Sequence, residues 1–266
     1  IPNNPGQPVP VLFSSTQQIG WFNSEPMLTY GATLTAGGDG VFWLTGGATR
    51  AQSDTRNPPT MLDSIRKISL LDPEGLSFTD VGTLPPYADP ACTSDPCNTL
   101  TGRVGHSLTP LGGADSGKML LAGGNSQLSV FFGKTTDYRG DLDGITKDVE
   151  VFDPATGTAE PVEHDPNSAY RNQGYRAFHL AIPLPDGGVA LWGGWSPLDP
   201  ENPLVEVFTP GSRSMVTFAP SETDAPGPLG SAGAAVEEGA MICGGSSYEG
   251  DHYLESQTQC LLVRST

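Results

Sequence analysis

An acidic segment in the middle of the chain has the residue types of a calcium-binding loop. The segment DYRGDLDGITKD runs from Asp137 to Asp148 and turns at Gly144. Its four aspartates are Asp137, Asp141, Asp143 and Asp148. Calcium prefers hard oxygen ligands spaced along a glycine-containing loop. We therefore predict Ca²⁺ as the ion that this segment would bind; the alternative is a solvated acidic loop.

A second group of candidates consists of two Arg-x-x-His pairs. They are Arg103 with His106 and Arg176 with His179, each placed before an apolar run. Aligned by sequence, the corresponding places in two other runs hold the pairs Thr29 and Ala32, and Ser231 and Ala234. Arginine and histidine on neighbouring strands predict a pocket for an anion. The alternative is a framework role, in which both residue types form hydrogen bonds between strands.

Two aromatic residues, Trp195 and Tyr248, follow Gly-Gly doublets at the start of connections. An exposed ring there would stack on a sugar or anchor a protein partner. The alternative is that these two rings pack against the protein. For Trp43 and Trp192 we predict packing in the core.

The four cysteines form two plausible disulfides. Cys92 and Cys97 would close a small loop, and Cys243 and Cys260 would face each other across paired strands. The chain starts at Ile1, which we interpret as loss of a leader. Together these features predict an extracytoplasmic protein.

These candidates lie on a repeated unit. Four Gly-Gly doublets each end an apolar run, at 46–47, 123–124, 193–194 and 244–245. A strand-like run of period two precedes each doublet and another follows it, and Gly, Pro and Asp turns bound the runs. We place the units at about 27–86, 100–165, 173–220 and 229–266, after an N-terminal extension, 1–26. Such repetition with four strands per unit is typical of a β-propeller.

The second unit carries a Gly-His-Ser start at 105–107, a strand ending in Gly123-Gly124, and a Val-Glu-Val-Phe-Asp-Pro strand at 149–154. In these motifs the chain resembles the kelch-repeat propeller family, of the secreted bacterial type. The resemblance implies blades of four antiparallel strands. The piece GDLDG at 140–144 also resembles the calcium loops of integrin propellers but lacks their second Asp-Gly.

The composition limits the classes of molecule that the protein is expected to bind. The formal net charge is −17, with 13 basic against 30 acidic residues, so nucleic acid and anionic lipid are not expected. No apolar run is long enough for a membrane span. We find no nucleophile elbow, zinc-protease motif or phosphate-binding loop, and we do not expect an enzyme.

The last unit lacks a fourth strand after Val263. We predict that a strand near Val11 completes it and closes a four-blade ring; the alternative is a fragment of a larger propeller. Within each unit the long connections should all emerge on one face, which predicts a binding surface there. We expect a non-enzymatic scaffold that binds another protein, with a carbohydrate-binding or carbohydrate-processing propeller and a subunit of a cell-surface assembly as alternatives.

Overall fold

The protein is all-β in the part of the chain that the structure describes. The computed structural model describes residues 31–48, 61–72, 75–86, 102–125, 145–146, 148–164, 174, 176–194, 204–220, 225–249 and 253–264. Within these residues there are eighteen strands and one short 3-10 turn, and there is no α-helix.

Sixteen of these strands form four sheets in chain order, and the other two, β16 and β17, pair as a separate hairpin. The first sheet contains β1 (Thr33–Gly38), β2 (Val41–Thr45), β3 (Ser64–Asp72) and β4 (Gly75–Thr83). The second contains β5 (Ser107–Pro110), β6 (Met119–Ala122), β7 (Val149–Asp153) and β8 (Thr158–Pro161). The third contains β10 (Leu180–Pro183), β11 (Val189–Trp192), β12 (Val205–Phe208) and β13 (Ser214–Phe218), with β9 (Glu163–His164) at its outer edge. The fourth contains β14 (Ala232–Val236), β15 (Gly239–Cys243) and β18 (Cys260–Arg264).

Neighbouring strands within each sheet are antiparallel, except that β9 runs parallel to β13. The inner strands β1, β5, β10 and β14 contact one another in that order. The predicted all-β architecture of repeated antiparallel sheets is therefore confirmed. The predicted closing strand near Val11 lies outside the described residues.

The apolar core is divided among the spaces between neighbouring sheets. One cluster joins the first and second sheets and includes Trp43, Leu108 and Phe152. A second cluster joins the second and third sheets, and a third, around Trp192, joins the third and fourth. The middle strands β6 and β11 are buried along their whole length because they are covered on both faces. Trp43 and Trp192 are core residues, as expected.

Three elements depart from the regular pattern of four strands expected in each unit. The chain after Thr158 forms two short strands, because buried Val162 carries it across to the third sheet, where β9 begins. A 3-10 turn, Gly113–Asp115, occupies the β5–β6 connection. A hairpin of β16 (Ser246–Glu249) and β17 (Tyr253–Ser256) extends from the fourth sheet between β15 and β18.

The lengths of the connections differ between the two ends of the sheets. Short connections join β1 to β2, β3 to β4, β7 to β8, β10 to β11, β12 to β13 and β14 to β15, and residues 111–118 join β5 to β6 at the same end. Residues 46–63, 84–106, 123–148 and 193–204 connect strands at the other end. Because strand direction alternates in an antiparallel sheet, the short turns share one face and the long connections share the other. We call the second the long-connection face.

A polar cluster ties the second and third sheets on the short-turn face. The side chain of Asp115 is buried, and its Oδ2 accepts hydrogen bonds from Gly211 N–H and from Arg213 Nη1, both at 2.8 Å. Arg213 also pairs with Glu160 of β8, 3.0 Å away. Burial alone would raise the pKa of Asp115, but the bonds from Arg213 and Gly211 outweigh it and the pKa lies below its usual value. The cluster fixes how the two sheets meet.

Candidate functional site

Four backbone positions form a rim where the inner strands begin on the long-connection face. Gly31, Gly105, Phe178 and Gly230 each lie two residues before an inner strand, with φ of 65°, 65°, 57° and 67°. Gly105 N–H donates to Gly31 O at 3.0 Å, and Phe178 N–H donates to Gly105 O at 2.7 Å. We call these four positions the inner rim. Glycine adopts this left-handed conformation at little cost, whereas a bulky residue is strained in it, so Phe178 is the exception.

The Gly-Gly doublets, at the ends of the second strands, join each sheet to the segment that leads into the next inner strand. The second glycine of three doublets donates its N–H to the next sheet: Gly47 to Arg103 O at 2.9 Å, Gly124 to Arg176 O at 2.8 Å, and Gly194 to Pro228 O at 2.8 Å. A Cβ atom on the first glycine of the doublet would collide with the same carbonyl. The motif is therefore a contact between sheets as well as the end of a strand.

These bonds correct the sequence alignment of the fourth repeat. Pro228 occupies the place of Arg103 and Arg176, so the next equivalent residue is Ser231, not Ala234. The alignment was wrong by three residues because both Gly230 and Gly233 precede strand-like sequence. Only Gly230 has the positive φ that the inner rim requires.

Arg103 and Arg176 are buried and make equivalent contacts. The Nη1 atoms donate to Gly123 O and Gly193 O, both at 3.4 Å. The Nη2 atoms face glutamates on the third strand of the same sheet: Arg103 lies 3.6 Å from Glu150, and Arg176 lies 2.7 Å from Glu206. Arg103 also donates to Pro85 O of the preceding sheet at 2.8 Å. Each arginine thus connects the start of an inner strand, a doublet and the third strand of its own sheet.

The two glutamates have opposite pKa shifts. For Glu206, burial would raise the pKa, but Arg176, His164 and Thr217 hold it below its usual value. His164 Nδ1 and Thr217 Oγ1 lie 3.0 and 3.3 Å from Glu206 Oε1. Burial raises the pKa of Glu150 to about 7, and the nearby carboxylate of Asp148 adds to the shift against the opposing effect of Arg103. Oε2 of Glu150 and Oε2 of Glu206 are both buried without a hydrogen-bond partner.

The two histidines bridge adjacent sheets. His106 Nε2 lies 2.8 Å from Thr45 Oγ1, and His179 Nε2 lies 2.8 Å from Ser107 Oγ. Burial lowers the pKa of both imidazoles to about 3, helped for His106 by Arg103 and for His179 by Arg176. Both rings are therefore neutral near pH 7, and neither is suited to exchange a proton there.

The four residues predicted to form an anion pocket are thus brought close together. The hydrogen bonds and ion pairs described above join these residues to other parts of the protein, within and between the first three sheets. This arrangement favours the framework interpretation of Arg103, His106, Arg176 and His179. A role in ligand binding remains a prediction.

Phe178 is the rim residue that the sequence reasoning missed. It is 45% exposed although its neighbours Ala177 and Arg176 are buried. A Cβ atom on Gly105 would lie within 2.9 Å of its ring, so the ring rests against the glycine of the neighbouring sheet. The signal that would have identified it is the glycine found at this place in the other three repeats.

Several predicted residues fall beyond the described part of the chain. Asp137, Asp141, Asp143, Trp195, Cys92 and Cys97 lie outside the described residues. Asp148 is described: its backbone N–H donates to Thr146 Oγ1 at 2.9 Å, directly before β7. Tyr248 lies in β16, on the long-connection face, and its side chain is outside the description.

The predicted pairing of Cys243 with Cys260 is confirmed. The two residues are directly opposite in β15 and β18, with Cα atoms 4.1 Å apart, and form a disulfide. The bond closes the base of the segment that carries the β16–β17 hairpin.

The described residues hold no group of three or more His, Cys, Asp or Glu side chains that could bind a metal ion. No helix in this part of the chain is long and apolar enough to cross a membrane.

Comparison with known proteins supports the fold. No family model matches the chain. No curated protein matches it in sequence. In structure it is similar to the solved β-propeller protein YjhT, with a TM-score of 0.54 and 15% sequence identity over 86% of this chain. The match spans 65% of the YjhT chain. At this identity the likeness shows the fold alone: the chain has a propeller-like all-β fold, and the kelch resemblance stays a prediction.

Proposed function

We propose that this protein is an extracytoplasmic propeller-type scaffold that binds another protein through its long-connection face. The observation that carries the proposal is the uneven distribution of connection lengths. At the opposite end, residues 39–40 and 237–238 suffice to turn β1 into β2 and β14 into β15. Binding residues are concentrated in loops that a rigid scaffold positions, so the expanded face is the natural binding surface.

Two further features support the proposal. The Cys243–Cys260 disulfide fits an oxidising compartment, where such bonds persist. It lies at the base of the β16–β17 hairpin, so it anchors an extension on the binding face. The net charge of −17 favours a partner with a basic surface, because association is steered by the field of the whole protein.

A pair of positions in the fourth sheet tests the proposal directly. Thr258 precedes β18 on the long-connection face, Glu237 lies in the β14–β15 turn on the other face, and both are exposed. A photo-crosslinking residue at either place can be activated in the source cell envelope. We expect one defined protein adduct from position 258 and none from position 237.

The control is internal because both positions belong to the same sheet and experience the same expression and labelling. Equal adducts from both faces, or adducts from position 237 alone, would refute the assignment of the face. A Thr258 adduct that is glycan and not protein would favour the carbohydrate-binding alternative instead.

A further inference from the structure

The last Gly-Gly doublet lacks the bond that anchors the other three. Gly47, Gly124 and Gly194 each donate an N–H to a carbonyl of the segment that leads into the next sheet. Among the described residues Gly245, the equivalent glycine of the fourth sheet, donates no backbone hydrogen bond of this kind. Both glycines of this doublet have positive φ, 70° and 88°, and glycine has wide conformational freedom. The fourth doublet therefore needs another constraint.

The hairpin that follows this doublet is attached at its base. β16 begins at Ser246, directly after the doublet, and pairs with β17. In the described part of the chain, an isolated bridge joins Ser246 to Leu229, and Gln257 N–H donates to Gly245 O at 2.8 Å. Both contacts lie where the hairpin leaves the fourth sheet. The conformation of this base therefore sets the direction in which the hairpin extends on the long-connection face.

The Cys243–Cys260 disulfide supplies a constraint at this base. Cys243 directly precedes the doublet, at a position that holds no cysteine in the other three sheets. Side chains along a strand alternate between faces, and Ile242 and Val263 pack on the third sheet, so the disulfide lies on the opposite face of β15 and β18. Cys260 is exposed there and Cys243 is partly exposed, so a thiol or disulfide reagent can approach the bond.

The packing of the fourth sheet uses other contacts. β15 and β18 pair along their whole length. Ala240 and Val263, which are opposite each other in this register, belong to the core cluster shared with the third sheet. Gly244 N–H donates to Gln259 O at 2.9 Å. None of these contacts involves a sulfur atom, so we expect the sheet to form with reduced cysteines as well.

We infer that the Cys243–Cys260 disulfide is a redox-controlled switch: its formation fixes the β16–β17 hairpin, and the long-connection face reaches its binding conformation only in the oxidised protein. The part that concerns binding rests on the proposed function.

The oxidation step is a thiol–disulfide exchange. One cysteine thiolate attacks a disulfide of a donor protein, and the second cysteine then displaces the donor from the mixed disulfide. The Sγ–Sγ bond forms as the S–S bond of the donor breaks. The two cysteines thereby lose two electrons and two protons, and the donor becomes a dithiol. A disulfide-bearing oxidoreductase of an oxidising compartment is the class of protein that supplies this step.

The test compares oxidised and reduced protein in the background of Cys92→Ser with Cys97→Ser, so that only Cys243 and Cys260 change redox state. Dithiothreitol is the reductant, and mass spectrometry of alkylated peptides reports the state of both thiols. On reduction, amide hydrogen exchange in residues 246–256 should become roughly tenfold faster or more, because the base then opens more readily. Exchange in the buried strands β6 and β11 should change by less than about twofold.

A substituted pair is the control for the reductant. Cys243→Ser with Cys260→Ser should show the fast hairpin exchange with and without dithiothreitol. Hairpin exchange that does not change on reduction would overturn the inference. Loss of protection in β6 and β11 as well would also overturn it, because the bond would then support the fold as a whole.

The binding part is measured by the Thr258 adduct. Its yield should fall about fivefold or more when the disulfide is reduced or substituted, because a smaller fraction of the protein is then competent to bind. A yield that does not depend on the disulfide would overturn this part. If no adduct forms from position 258 even in the oxidised protein, the proposed face is wrong, and the hydrogen-exchange comparison still decides whether the disulfide fixes the hairpin.

Discussion

Arg103 with Glu150 and Arg176 with Glu206 occupy the same place in successive repeats, at the interface of each sheet with the one before it. The ion-pair distances are 3.6 Å in the second sheet and 2.7 Å in the third. The pKa of Glu150 is raised to about 7, whereas that of Glu206 is lowered. The same sequence motif thus contains glutamates whose pKa values are shifted in opposite directions.

The difference comes from the residues that surround the pair. Oε1 of Glu206 also meets His164 and Thr217. Glu150 has the like charge of Asp148 nearby instead. Oε2 of both glutamates is buried without a hydrogen-bond partner, so the difference lies in these neighbours. His164 belongs to β9, the strand that passes from the second repeat to the third. The neighbours of each pair, among them His164 from the strand that links the repeats, therefore decide how well the buried charge is stabilised.

The largest effect is expected from a substitution that breaks the shorter ion pair, Arg176 with Glu206. Glu206→Gln removes the charge that Arg176 faces inside the protein, and loss of one partner of a buried ion pair costs about 3–5 kcal/mol. Urea unfolding at neutral pH should show this loss. Glu150→Gln is the matched control and should cost less than about 1 kcal/mol there, because the wild-type carboxyl already titrates near neutrality. Equal losses in the two variants would contradict the comparison.

The second prediction concerns pH. The folded-state pKa of Glu150 is about 7, above the ordinary 4.5, so the bound proton stabilises the fold. This contribution is fully present below about pH 4.5 and is lost as the pH rises through about 7. Relative to Glu150→Gln, the wild type should lose up to about 3 kcal/mol between these limits. Unfolding free energies measured at several pH values check this, and a difference that does not vary with pH would refute it.

The smallest effect is expected at His164, in the strand β9 that links the second and third repeats. His164→Ala removes one hydrogen-bonding partner of Glu206 and should cost about 1 kcal/mol. Its neighbour Glu163 is exposed, so Glu163→Ala serves as the control and should change little. In a double-mutant cycle with Glu206→Gln most of the His164 effect should disappear. Full additivity would show that the histidine acts elsewhere.

The repeated strands could be predicted from the sequence because the residues that determine them lie within each strand and its turns. The apolar runs at 119–122 and 189–192 end at glycine doublets, and both are strands of the expected sheets. The pairing of Cys243 with Cys260 followed from the same register. Period, turn residues and doublets are all visible in a single repeat.

What the sequence did not reveal depends on contacts between repeats. The crossing at Val162 into the third sheet, and the choice of Gly230 over Gly233 for the rim, are fixed by partners far along the chain. The opposite pKa shifts of Glu150 and Glu206 depend on which residues pack around two identical motifs. Such information is absent from any one repeat.

The parallel strand β9 has a consequence for the unit in which this protein unfolds. Glu163 and His164, at the end of the second repeat, pair with Ser214 and Met215 at the margin of the third, and Glu163 N–H donates to Arg213 O. Removing the second repeat would remove β9, the outer strand of the third sheet. Removing the third repeat would leave β9 without the strand that it pairs with. We therefore expect the second and third repeats to unfold together rather than one after the other.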